Sequence, residues 1–141
     1  MWIKDLMTTM CHALSRYYFE DEFFHMRSQM PLTIKQTCHL MRESLDKAFH
    51  HSLLDTSLDE YDWVLKPHYY YVDQPYYNFP YIVGMISAML IFEKIKGGLI
   101  KFGNLESVLS ETGRLEQYVD FLSALDITPK DVSDFEFTKY L

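Results

Sequence analysis

The chain has 141 residues, about the length of one domain, and its 48% hydrophobic and 23% charged residues with only 5 Gly and 5 Pro exclude a disordered, collagenous or linker-like polymer. Thirteen Lys and Arg against twenty Asp and Glu leave a formal charge of -7, which argues against nucleic acid and anionic membrane surfaces as partners. Two Cys without a signal-peptide pattern at Met1 point to the reducing cytoplasm, and the longest apolar stretch, 79–92, falls short of the ~20 residues a bilayer-spanning helix needs.

Ile3, Leu6, Met10, Ala13 and Tyr17 recur at helical period with Lys4, Asp5, Thr8, His12 and Arg16 between them, predicting an amphipathic helix that runs through Phe23. Ser28-Gln29-Met30-Pro31 reads as a turn, because Pro31 lacks an amide proton and pushes Met30 out of helical geometry. Thr33 and Gln36 have the spacing of a capping box, and Ile34, Cys38, Met41, Leu45 and Phe49 carry a second helix to about His50. Periodicity is then lost. A long aromatic loop is expected over 51–77, in which only Trp63-Val64-Leu65 and Tyr69 to Val72 resemble strands. Asn78 is placed to cap an apolar helix over 79–96 that takes Pro80 in its first turn and stops at Gly97. Asn104 to Thr112 and the run Leu115, Val119, Leu122, Leu125 predict two short helices or one bent one, and Thr128-Pro129-Lys130-Asp131 opens a last helix. The fold class is all-α: about six helices packed around the apolar helix, in a single lobe over 1–141.

Tyrosine is the unusual residue. Of the 11 Tyr, six fall between Tyr69 and Tyr81, next to His68. Phenol hydroxyls and an imidazole held on a rigid loop can donate hydrogen bonds to a carbonyl oxygen as it gains charge, and the ring faces can line a peptide cleft. The same pattern also describes an aromatic cover over the core with its hydroxyls in water. No two His stand four residues apart and no HExxH occurs, so Cys11-His12 and Cys38-His39 read as core thiols beside solvated imidazoles. Glu20-Asp21-Glu22 and Asp59-Glu60-Tyr61-Asp62 lack calcium-loop spacing and read as solvated faces.

Pro67-His68-Tyr69-Tyr70-Tyr71, followed by Tyr76-Tyr77-Asn78-Phe79-Pro80-Tyr81-Ile82-Val83-Gly84, resembles the C-terminal part of oligoendopeptidase F and its thimet-oligopeptidase-like relatives. Phe19-Glu20, Glu22-Phe23, Asp62-Trp63, Glu111-Thr112-Gly113 and Leu125-Asp126-Ile127-Thr128 extend the similarity across most of the chain. The resemblance implies an all-α zinc metallopeptidase acting on short peptides, in which His68, Tyr76 and Tyr77 are catalytic oxyanion-stabilising groups and Tyr71 and Tyr81 bind substrate. Phe79 departs from it, standing where some relatives have Tyr. Zinc belongs to the complete family enzyme, whose HExxH segment this sequence lacks; no cofactor is expected in this chain. The chain is therefore expected to be inactive alone, with short peptides and an upstream zinc-bearing chain as partners, and to self-associate through an exposed apolar face.

Overall fold

The structure is a computed structural model that describes residues 2–52, 58–71, 73–111 and 117–136, with side chains from Lys4 onward. It is all-α. The described residues form six α-helices: α1 (Trp2–Arg27), α2 (Ile34–Ala48), α3 (Phe79–Lys96), α4 (Phe102–Glu111), α5 (Tyr118–Ser123) and α6 (Pro129–Ser133). Among them no helix is long and apolar enough to cross a membrane. The predicted positions Val72, Thr112, Gly113 and Leu115 lie outside the described residues.

Helix ends follow local chemistry. Thr33 Oγ1 accepts the Gln36 amide at 3.3 Å while Gln36 Oε1 accepts the Thr33 amide at 2.9 Å, closing the capping box that starts α2. Thr128 and Asp131 repeat the device at α6, with Pro129 in the first turn. α1 runs one turn beyond Phe23, since nothing before Met30 and Pro31 obstructs it; the Ser28 amide still reaches the Phe24 carbonyl at 3.1 Å. At the end of α3 the left-handed residue is Gly98 (φ 72) rather than Gly97. The Leu99 amide reaches the Lys94 carbonyl at 2.8 Å and the Gly98 amide reaches Ile95 at 3.0 Å, a Schellman closure that needs positive φ one residue later than expected.

Of the strand-like runs, Trp63-Val64-Leu65 and Tyr69-Tyr70 lie in helical turns instead, and Tyr71 is extended. Asp62–Leu65 and Pro67–Tyr70 form two 3-10 segments within the predicted loop. An isolated strand leaves its amides unpaired, whereas i to i+3 bonds such as Val64 N–H to Tyr61 O (2.9 Å) and Tyr69 N–H to Lys66 O (3.1 Å) satisfy them locally.

The chain divides into two compact units, Met1–Ile82 and Val83–Leu141. In the first, Phe19 of α1 packs with Leu40, Met41 and Leu45 of α2 and with Leu58, and Trp63 and Tyr69 rest against this cluster. That contact anchors the aromatic segment on the core. In the second, Ile91, Ile100, Leu122, Leu125 and Ile127 form a separate core, and the Tyr118 hydroxyl donates to Ser87 Oγ. α3 is apolar along its length; it buries Ser87 and Ile91 and exposes Phe79, Tyr81 and Phe92.

Candidate functional site

The site lies in the first unit, where α1 faces the 3-10 turns. Residues four apart lie on one stripe of a helix, so α1 carries His12, Arg16 and Glu20 one above the other. Arg16 is the hub: its Nη1 donates to Asn78 Oδ1 at 3.4 Å and its Nε lies 3.7 Å from Asp62 Oδ2, whose other oxygen pairs with Lys66 Nζ at 3.0 Å. Asn78 is 5% exposed, and its Nδ2 stands 2.9 Å from His68 Nε2.

Those contacts fix a proton. A guanidinium only donates, so Asn78 Oδ1 must face Arg16 and the Asn78 amide N–H must point at His68. Nε2 of His68 then accepts, which puts the proton of the neutral ring on Nδ1. Burial, with the Arg16 and Lys66 charges beside it, holds His68 below the usual imidazole value, so the ring is neutral at pH 7. Asn78, expected as a helix cap, thus commits its side chain to Arg16 and His68, because a buried amide between a cation and an imidazole satisfies both.

The Tyr-rich segment divides by direction. Tyr77 stacks on His68 with ring centroids 5.1 Å apart, and its hydroxyl meets that of Tyr81 at 3.0 Å. Tyr76 turns the other way. Its backbone is left-handed at φ 56, held by its amide on Glu20 Oε1 (3.0 Å), its hydroxyl on Asp21 Oδ1 (3.1 Å) and its ring against Tyr17 and Phe24. Two cavities result. One of about 570 Å³ is lined by His12, Arg16, His68, Asn78, Tyr77 and Tyr81; the other, about 770 Å³, by Glu20, Trp63, His68, Tyr69, Tyr71 and Tyr76. Of the five residues singled out in the sequence, Tyr77 and Tyr81 fall in the first cavity, Tyr71 and Tyr76 in the second, and His68 in both. Phe79 packs against Tyr17 at 5.7 Å.

Arg16, Glu20, Asp62 and Asn78 are the residues that sequence reading missed. Glu20 belongs to no solvated face: it is 2% exposed, because the Tyr76 amide and the aromatic segment cover it. Asp62 likewise is only partly exposed, drawn in by Arg16 and Lys66. The His12–Arg16–Glu20 spacing is the signal that was available. Burial pushes the Glu20 carboxyl up, and the Tyr76 amide opposes this only in part. Burial and then the Glu20 charge raise the Tyr69 hydroxyl as well. Among the described residues, Arg16 Nε, Glu20 Oε2, Asp62 Oδ2, Trp63 Nε1 and Tyr69 Oη are buried with no hydrogen-bond partner.

Cys38 is in the core and Cys11 half-buried; His12 packs edge-on to Phe49 at 5.1 Å and His39 pairs with Glu43 at 3.3 Å. Among the described residues no three His, Cys, Asp or Glu side chains converge as metal ligands must. Comparison with known protein families, curated proteins and solved structures finds no match to this chain.

Proposed function

We propose that this chain is the peptide-facing, C-terminal segment of an oligoendopeptidase F-like metallopeptidase, and that the cavity of His68, Tyr77 and Tyr81 holds a short peptide by its carbonyl oxygen. The observation that supports this reading best is the Tyr77–Tyr81 hydroxyl pair, 3.0 Å apart beside a His68 that is neutral and protonated on Nδ1. When one hydroxyl donates to the other, one O–H remains free to donate. Aimed at a carbonyl, such a donor stabilises negative charge developing on oxygen. The ring faces of Tyr77 and Tyr81, both exposed, give the peptide an apolar bed. Tyr71 and Tyr76 line the other cavity and have no part in holding a carbonyl bound by Tyr77.

The test is a titration of the isotopically labelled chain with an unlabelled short peptide, followed by NMR. Shifts centred on His68, Tyr77 and Tyr81, weakened at least about tenfold by Tyr77→Phe, are expected; an unperturbed site at millimolar peptide would overturn the reading. Alone, the chain is expected neither to bind zinc stoichiometrically nor to cleave peptides. Mixed with an HExxH-bearing segment of the resembled family, it is expected to give chelator-sensitive cleavage that His68→Ala abolishes. Peptide binding with no cleavage in that mixture would favour instead a non-catalytic peptide-binding module.

A further inference from the structure

The second cavity has its own chemistry, independent of the peptide reading. Glu20 lines it with 2% exposure; one carboxylate oxygen takes the Tyr76 amide, and the other has no hydrogen-bond partner among the described residues. Eight Phe, Trp and Tyr side chains line the same cavity, among them Phe19, Phe23, Phe24, Trp63, Tyr69 and Tyr76. Five of the rings touch one another, Phe19 to Phe23 at 5.6 Å, Phe19 to Tyr69 at 5.2 Å, Phe23 to Phe24 at 6.0 Å and Phe24 to Tyr76 at 5.7 Å, so they form a connected surface. Two guanidinium groups are near: Arg16, on the same helix stripe, is engaged with Asn78 and Asp62, and Arg27 lines the same cavity, but among the described residues neither forms an ion pair or hydrogen bond with Glu20.

A buried carboxylate without a cation is costly, and aromatic faces carry the negative end of their quadrupole outward. Both features favour the same kind of occupant. A neutral guest would fill the space without relieving the charge, and an anion would be repelled by it. We propose that this cavity is a binding site for an organic ammonium ion on an apolar or aromatic body, held by the Glu20 carboxylate and by cation–π contact with the surrounding rings. The volume of about 770 Å³ suits such a guest, being within the range of small-molecule pockets.

The probe is benzylammonium, titrated into a Trp2→Phe chain so that Trp63, the remaining one of the 2 Trp, reports by fluorescence from the cavity wall. Saturable binding is expected, at least about tenfold tighter than that of benzyl alcohol, with phenylacetate weaker still. Glu20→Gln is expected to bring benzylammonium down to the affinity of the alcohol. Equal affinity for the amine and the alcohol, tighter binding of phenylacetate, no saturable response, or an unaltered affinity in a folded Glu20→Gln chain would each overturn the proposal. The comparison of amine with alcohol needs no substitution in the site, so it decides the matter even if the Gln variant fails to fold. Phenylalaninamide and its N-acetyl form separate the sources: tight binding of the free amine form assigns the amino terminus of a peptide, and weak binding of both, with benzylammonium retained, assigns free amines. Failure here leaves the Tyr77 and Tyr81 NMR response untouched, so the two readings stand or fall separately.

Discussion

His68 owes its tautomer to Arg16, a residue from another element that reaches it through one amide. Asn78→Asp tests this: a carboxylate accepts where the amide donates, so the proton should move to Nε2 and the His68 pKa should rise by about one unit or more. Long-range 1H–15N spectra read both changes, and a purely structural role for Asn78 would move neither. In the parent chain His68 should titrate below 6.5, its unperturbed value. Its folded pKa is depressed, so the stability it contributes is present above that value and is lost as pH falls through it towards the folded pKa. Glu20 has the opposite sign. Its folded pKa is raised, so the native state holds the proton more tightly than the unfolded chain, and stability rises as pH falls through the folded pKa towards 4.5. Glu20→Gln keeps an acceptor for the Tyr76 amide without the charge, and should stabilise the fold at pH 7 while flattening that acid-side gain. Urea unfolding at pH 7.5 and pH 5 would show it. Retaining a charge that weakens the fold is what a binding role for Glu20 entails.

At the scale of elements, what was legible in the sequence was what is local. Thr33 with Gln36, and Thr128 with Pro129 and Asp131, announce helix starts because the partners are three residues apart and no distant contact alters them. Thr33→Ala should cost about 1 kcal/mol in unfolding free energy. Gly98→Ala should cost about as much by forcing a Cβ into φ 72, and a thermal melt of each variant checks both. Two adjacent glycines hide which one turns left-handed, since either can. The 3-10 turns were hidden too, because Trp63-Val64-Leu65 and Tyr69-Tyr70 have β-prone side chains and only the missing strand partner decides against them. The site was half legible for a similar reason. His68 and the Tyr cluster stand together in sequence, whereas Arg16 meets Asn78 across 62 residues and Glu20 meets Tyr76 across 56.

For the whole molecule, composition and periodicity gave the all-α class directly, since apolar residues at three- and four-residue steps have no alternative use. Periodicity says nothing of where cores divide, and here each of the two units has a core of its own. Large apolar side chains remain outside both, among them Leu65 at 80%, Leu99 at 78% and Phe102 at 62% exposure. Such surfaces associate. Size-exclusion chromatography should therefore show an apparent mass that grows with loading concentration, and Leu99→Lys with Phe102→Lys should reduce it; a concentration-independent monomer would contradict this.

The left-handed backbone of Tyr76 has a consequence for how the sequence can change. Surface loops ordinarily tolerate added or lost residues. Here the reversal at φ 56 sends Tyr76 and Tyr77 to opposite cavities, so side-chain direction depends on counting residues from Glu20's grip on the Tyr76 amide. Inserting one residue between Tyr76 and Tyr77 would break the register that sends their hydroxyls to different cavities. Length, not only residue identity, is therefore under constraint in this stretch, and lineages of this chain should vary it by substitution and not by indels.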